Sequence, residues 1–116
     1  MRLAIVGSRT FDDYDIFLQY IEKFLQLHYG NHTVISGGAK GADRLAKIFA
    51  QTWEREYIEF PADWNKYGKQ AGFIRNQQIV DAADMILAFW DGKSRGTKDT
   101  IDKARRAKKP TFIVYF

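Results

Sequence analysis

Two glycine-rich segments of this sequence have the composition of anion-binding loops. In the first, Ser36–Asp43 (SGGAKGAD), three glycines precede a predicted helix and let backbone N–H groups approach an anion closely. The helix dipole favours negative charge there, and Lys40 could add a cation. A tight strand–helix turn that needs glycine for its backbone angles would use the same residues. The segment is not a P-loop, because no Gly-Lys-Ser/Thr closes it.

The second segment, Gly92–Thr97, repeats this design further along the chain. Two glycines bracket hydroxyl and basic residues, and Ser94 or Thr97 can cap the helix that follows. One loop could hold a phosphate, and the other a second phosphate or a sugar. A pair of capped turns is the structural alternative.

Charged and aromatic side chains follow other apolar runs. Arg9, in the segment Gly7-Ser8-Arg9, could grip a phosphate or carboxylate, or pair with Asp12 or Asp13. Trp64 and Tyr67 could stack on a base, or pack a long loop onto the core.

A helix near the middle of the chain carries Arg75 and Asn76 side by side. Adjacent helical residues point about 100° apart, so we expect only one of the two to face a crevice directly. Asp63, Asp91 and Asp99 are candidate acids or acceptors for sugar hydroxyls, although loop aspartates also cap helices and form turns.

Strands and helices must position these residues, and the sequence predicts them in alternation from short apolar runs and from apolar stripes with helical spacing. The predicted strands are 3–6, 33–36, 56–60, 85–90 and 111–115. One predicted helix carries the stripe 16–27 and ends at Gly30-Asn31, others span about 42–53, 71–82 and 97–107, and the longest connection is 61–72. We predict one α/β domain over 1–116, a doubly wound, Rossmann-like five-stranded parallel sheet in the order 3-2-1-4-5 with helices on both faces. Its ligand crevice should lie beyond strands one and four.

Composition removes several classes of chemistry. The 116 residues include no Cys and two His, which excludes disulfides, thiolate catalysis and Cys-ligated or His-rich metal sites, so we predict no metal. A Gly-x-Gly-x-x-Gly fingerprint does not follow the first strand, and we expect no NAD or other cofactor. The apolar run Leu3–Val6 is too short for a leader or a membrane span, so we predict a cytoplasmic protein without a membrane partner.

The net charge of +4 lies entirely in residues 59–116, since residues 1–58 carry equal numbers of acidic and basic side chains. The densest basic run is Arg105, Arg106, Lys108 and Lys109. Cations at the end of a helix offset its dipole, whereas a surface for polyanions is the alternative interpretation.

Five segments, in order, resemble the YspA/YpsA-related branch of the SLOG superfamily. They are Gly7-Ser8-Arg9, SGGAKGAD at 36–43, PADW at 61–64, YGKQAGFIRN at 67–76 and LAFWDGKSRGT at 87–97. The resemblance implies a Rossmann-like domain that binds a nucleotide or nucleotide-derived ligand as a sensor or processing module. It also implies that two copies can pair through helices beside the sheet.

Two more distant resemblances give alternative functions. In the LOG phosphoribohydrolases, which cleave the N-glycosidic bond of nucleotides, a helix arginine corresponds to Arg75. Their PGGxGTxxE motif falls on Asp91–Thr100, with Gly96-Thr97 matching. Thr100 occupies the catalytic glutamate position, so a hydrolase would need Asp99 or Asp63 instead. The DNA-processing DprA proteins have a loop similar to SGGAKGAD and bind single-stranded DNA, which makes nucleic acid the second alternative.

We therefore predict a small phosphorylated, nucleotide-like ligand, with nucleic acid ranked below it and pairing of two copies left open. Asp43 or Asp63 would accept a ribose hydroxyl. The catalytic candidates, if the domain is an enzyme, are Arg75, Asp99 and Asp63. The predicted ligand-binding residues are Gly7, Ser8, Arg9, Ser36, Gly37, Gly38, Lys40, Gly41, Asp43, Asp63, Trp64, Arg75, Asn76, Gly92, Ser94, Gly96 and Thr97.

Overall fold

Five parallel strands form one sheet in the order β3-β2-β1-β4-β5, which confirms the predicted topology. The strands are β1 (Arg2–Gly7), β2 (Thr33–Ser36), β3 (Tyr57–Glu59), β4 (Met85–Trp90) and β5 (Thr111–Tyr115). The helices are α1 (Tyr14–Leu27), α2 (Ala42–Thr52), α3 (Trp64–Tyr67), α4 (Ala71–Ala82) and α5 (Arg95–Arg106). This computed structural model describes residues 1–27 and 32–116, so the predicted helix end at Gly30-Asn31 lies outside the described residues.

The two central strands are apolar on both faces because helices cover the sheet from both sides. On one face, Phe17 and Phe49 from α1 and α2 pack with Phe89 of β4. On the other, Ile79 from α4 and Ile101 from α5 pack against the sheet. Both cores meet at β1 and β4, which are therefore held rigidly where their carboxyl ends emerge.

Helix caps explain two departures from the predicted elements. The connection 61–72 contains α3 and a 3₁₀ turn (Gly68–Gln70), because the side chain of Asp63 accepts the Lys66 N–H at 3.1 Å and starts a helix. Likewise α5 begins at Arg95 rather than Thr97, since Ser94 is its N-cap residue.

One cation of the basic run binds a neighbouring helix. The Nζ of Lys109 donates to the backbone carbonyls of Val80 and Asp81 in the last turn of α4. A cation at this position stabilises the carbonyl end of α4. Within residues 1–27 and 32–116, no helix is long and apolar enough to cross a membrane.

Candidate ligand-binding cleft

A cleft opens where the carboxyl ends of β1 and β4 lead into their loops. We call it the inner cleft; Val6, Ile79 and Thr100 contribute to its lining. Eight of the predicted ligand-binding residues also line it: Gly7, Arg9, Asp43, Arg75, Asn76, Ser94, Gly96 and Thr97. The sequence-distant loops thus converge at the point where the winding of the sheet reverses.

A second cavity, the outer cleft, adjoins the first and includes Trp64, Gly37 and Gly38 in its lining. Arg9, Ala39 and Arg75 line both cavities. The cavity volumes are about 80 Å³ for the inner cleft and about 240 Å³ for the outer cleft, so each cleft alone is smaller than the usual small-molecule site of about 300–1,000 Å³. A ligand that reaches from one cleft into the other would pass both arginines.

The glycine-rich loop is organised around a buried carboxylate, Asp43. Its Oδ2 accepts the Ala39 N–H at 3.3 Å, and the N–H groups of Gly37 and Gly7 also donate to it. Burial raises the pKa of Asp43 to about 6, against the lowering effects of Arg75 and the three N–H donors. Asp43 therefore accepts hydrogen bonds from backbone N–H groups that we had expected to bind phosphate. Asp43 and Arg75 both line the inner cleft.

Glycine lets chain segments approach each other closely in this loop, and the backbone contact at Gly41 requires it. At Gly41, φ is +81° and a Cβ would lie 2.3 Å from the carbonyl oxygen of Ser8. At Gly37, a Cβ would lie 2.5 Å from Nη1 of Arg75. The first contact packs the loop against the end of β1. At Gly37, the absence of a side chain leaves space for the Arg75 guanidinium.

Arg75 and Asn76 connect the two glycine-rich loops. Arg75 donates from Nη1 to the Gly37 carbonyl at 2.8 Å and from Nε to Oδ1 of Asn76 at 3.1 Å. Asn76 Nδ2 donates to the Gly96 carbonyl at 3.2 Å and to Asp99 Oδ2 at 3.0 Å. The expectation that only one of the pair faces the crevice is wrong: both line the inner cleft, because the long arginine side chain folds back over its neighbour.

The two arginines differ in how much of their hydrogen-bonding capacity is used. Among the described residues, Arg9 forms no ion pair or hydrogen bond, and Asp13 caps α1 by accepting the Ile16 N–H at 3.1 Å. Arg75 uses Nη1 and Nε, whereas its Nη2 has no partner in that part of the chain. Both guanidinium groups therefore keep N–H donors for an incoming acceptor.

Residues 1–67 match the protein-family model described as YAcAr: YspA, cpYpsA-related SLOG family. The chain belongs to this family. The chain is also 35% identical over 115 residues to the Gene 61 protein of Mycobacterium phage D29, covering 94% of this chain and 92% of that relative. The matched model spans the first glycine-rich loop and ends at α3.

A solved structure of DNA processing protein A from Helicobacter pylori has a similar fold. It matches with a TM-score of 0.74 and 19% sequence identity, over 97% of this chain and 64% of the solved chain. At this identity the likeness concerns the fold. That protein has a unique mode of binding single-stranded DNA.

Within this SLOG domain, several predicted ligand residues lie outside both clefts and support the loops. Ser36 is buried and donates from Oγ to the Ile5 carbonyl at 2.7 Å, which joins β2 to β1. Buried Ser8 accepts the Asp91 N–H on its Oγ at 3.2 Å and joins the loop after β1 to the loop after β4. Gly92 lies in that second loop with φ +80°.

Asp91 closes the loop in which Gly92 lies. Its Oδ1 accepts the N–H groups of Lys93 and Ser94 at 2.8 and 2.7 Å. These hydrogen bonds, with that of Ser94 the stronger influence, lower the pKa of Asp91. The carboxylate is therefore committed to shaping the turn.

Among the catalytic candidates, only Arg75 borders the inner cleft in the described structure. Asp99 forms an ion pair with Lys103. Asp63 caps α3 beside a further groove that shares Pro61 and Arg75 with the outer cleft. Thr100, at the LOG glutamate position, donates its hydroxyl to the Gly96 carbonyl at 3.3 Å. The acidic side chain that does border this cleft is Asp43.

Ala39 and Glu59 are cleft residues that the sequence did not single out. Glu59 ends β3 opposite Ser36 of β2, and its Oε1 accepts the Tyr57 hydroxyl at 3.0 Å. Burial and this carboxylate raise the pKa of Tyr57. Glu59 could not be predicted as a cleft residue without the register of β2 with β3, which places the end of β3 beside the glycine-rich loop.

Proposed function

We propose that this domain binds a phosphorylated nucleotide-like ligand, with phosphate in the inner cleft and base in the outer cleft. The observation that carries the proposal is that Arg9 and Arg75 line both cavities with unused N–H donors. Guanidinium groups suit phosphate because their planar N–H donors match two oxygens at once.

The N-terminus of α5 supports a phosphate in the inner cleft. Ser94, Gly96 and Thr97 bring the first turn of this helix to the cleft wall. The positive end of a helix dipole stabilises an anion there. Ser94 Oγ accepts the Thr97 N–H at 3.4 Å, so the cap fixes the turn. The ionised carboxylate of Asp43 repels a bound anion, and protonation of this carboxylate removes the repulsion.

The outer cleft supports a base. Trp64 is 55% exposed and lies beside Pro61 and Ala62, which also line this cavity. An exposed indole beside a cationic cleft offers a flat stacking surface for a nucleobase. The same cavity contains Glu59, whose carboxylate can accept ribose hydroxyls.

Isothermal titration with a nucleoside, its 5′-monophosphate and inorganic phosphate tests this function. We expect the monophosphate to bind most tightly, because it alone occupies both clefts. Equal affinity for nucleoside and monophosphate would contradict a phosphate site. An absence of binding by all three at millimolar concentration would contradict the proposal as a whole.

Replacing Trp64 with alanine is expected to weaken monophosphate binding by about 5- to 100-fold, the cost of one lost base-stacking contact. Inorganic phosphate affinity should stay unchanged, because Trp64 does not line the inner cleft. Trp53→Ala is the matched control, since Trp53 is 58% exposed at the far end of α2. Equal losses in both variants would argue against stacking on Trp64.

Single-stranded nucleic acid is the second candidate ligand, favoured by a basic groove beside α2. Lys40, Arg44 and Lys47 line this groove, which shares Gly38, Ala39 and Glu59 with the outer cleft. A phosphodiester chain could leave the outer cleft along these cations. The fold likeness to a single-stranded DNA-binding protein adds support.

The combined variant Lys40→Ala, Arg44→Ala, Lys47→Ala separates the two candidates. If a strand binds, fluorescence anisotropy with an oligothymidylate should show weaker binding, and the salt dependence (log K against log salt) should be less steep by about 2 for three lost phosphate contacts. Mononucleotide affinity should change far less than oligonucleotide affinity, since these residues line neither cleft and only Lys47 is linked to the outer cleft in the described structure, through its 3.9 Å ion pair with Glu59. No oligonucleotide binding by the unmodified protein in low salt would remove this candidate.

A further inference from the structure

The strand β5 forms an apolar free edge of the sheet. Within the described residues it pairs with β4 alone, and its sequence Thr111–Tyr115 contains no charged side chain. The opposite edge, β3, has three residues and includes Glu59. Natural proteins usually protect such edges with charge, proline or brevity, because a free edge is a template for another strand. The edge at β3 is short and carries a charge, whereas the edge at β5 is longer and carries none.

The hydrogen bonds to β4 identify which β5 backbone groups are free. Pro110 accepts the Ile86 N–H on its carbonyl, and Phe116 donates its N–H to Trp90. Because backbone groups alternate in direction along a strand, the even-numbered residues face β4. The N–H and C=O groups of Thr111, Ile113 and Tyr115 therefore point away from the sheet.

Aromatic side chains extend this edge on both faces. Phe112, Tyr115 and Phe116 are 38%, 64% and 49% exposed. Tyr20 of α1, 39% exposed, lies edge-on to Phe89 of β4, whose register partner is Val114. Since an aromatic side chain has about 150–250 Å² of surface, these four expose on the order of 400 Å².

We propose that β5 pairs antiparallel with β5 of a second copy of this chain. A twofold axis at Ile113 would place Thr111 opposite Tyr115 of the second copy and satisfy the outward-pointing groups of both strands. A standard interface buries about 800 Å² per partner, so the aromatic area would supply the apolar centre of a dimer. The inner cleft lies at the carboxyl ends of β1 and β4 and the outer cleft beside those of β2 and β3, so both stay open in this arrangement.

Sedimentation velocity and hydrogen exchange test this pairing. The unmodified protein should sediment at twice the 13.5 kDa chain mass. Tyr115→Lys should raise the dimer dissociation constant at least tenfold, because it removes the aromatic ring from the interface and places an unpaired charge against Thr111 of the second copy. Trp53→Lys, at a similarly exposed aromatic residue that follows α2, should leave the dimer intact. In the dimer, the amides of 111, 113 and 115 should exchange slowly, and dilution to monomer should make them fast.

Two results would overturn the proposal. One is a monomer at every concentration at which the unmodified protein stays dissolved. The other is a dimer that survives Tyr115→Lys with these three amides exchanging freely, which would place the interface elsewhere. Circular dichroism of Tyr115→Lys establishes that the variant is folded, and the exchange measurement needs no variant.

Discussion

Replacing Arg75 with alanine is expected to lower the affinity for a nucleoside monophosphate by about 10- to 100-fold. A hydrogen bond to a charged group contributes about 1.5–3 kcal/mol, and Arg75 faces both clefts with free donors. The substitution also removes the bond to the Gly37 carbonyl and the charge that lowers the pKa of Asp43. The loop should therefore become less ordered as the anion site weakens. Calorimetric titration measures the change.

Two further variants separate the roles of charge and geometry. Arg75→Lys keeps the charge and loses the planar fork, so an intermediate affinity is expected. Arg95→Ala removes an exposed arginine that begins α5 without lining either cleft, and it should bind normally. Wild-type affinity in Arg75→Ala would contradict the assigned role. An equal loss in Arg95→Ala would indicate a general charge effect.

Replacing Asp43 with asparagine is expected to remove a pH dependence of about 3 kcal/mol in the free energy of unfolding. The folded-state pKa of about 6 lies above the ordinary value of 3.8. Each pKa unit of difference between the folded and unfolded states corresponds to about 1.36 kcal/mol in the free energy of unfolding. The folded protein therefore holds this proton more tightly than the unfolded chain. Stability from this group is fully present below pH 3.8, falls as pH rises to about 6, and is constant above.

Urea unfolding of both proteins between pH 4 and 7 measures this effect. The unfolding free energy of the unmodified protein minus that of Asp43→Asn should fall by about 2 kcal/mol across this range, which begins just above the ordinary pKa of 3.8, because asparagine cannot ionise. Asp102→Asn is the control, since the hydrogen bond from Lys98 lowers the pKa of Asp102. Its contribution to stability is lost only as the pH falls below the ordinary value of 3.8, so the difference for this variant should change little between pH 4 and 7. A difference for Asp43→Asn that is constant with pH would show that burial does not perturb this carboxyl.

The fold could be predicted because each element leaves a local signal. The predicted strands 33–36, 85–90 and 111–115 and the helix 71–82 have the observed bounds, since apolar runs and punctuating glycines mark them. The short helix α3 was missed, because four residues are too few for a periodic pattern. Its signal was Asp63, which the sequence offered as an acid or sugar ligand and the structure uses as a cap.

Many of the residues that line the two clefts could be predicted, but the contacts between their side chains could not. Parallel strands bring their carboxyl ends to one edge, so the sequence indicates which loops converge there. Which atoms meet depends on contacts across the chain, such as the 38 residues that separate Arg75 from Gly37. The buried roles of Ser8 and Ser36 likewise arise from long-range hydrogen bonds that no local pattern encodes.

The most direct test of the central claim is a ¹H–¹⁵N nuclear magnetic resonance titration with a nucleoside 5′-monophosphate. If the two clefts bind this ligand, shifts should concentrate at the amides of Ala39, Gly96 and Thr97, the Arg75 Nε–H and the Trp64 indole. The corresponding nucleoside should shift the Trp64 signal and leave Gly96 and Thr97 unchanged. Saturating shifts confined to residues outside both clefts, or no shifts at millimolar ligand, would contradict the account.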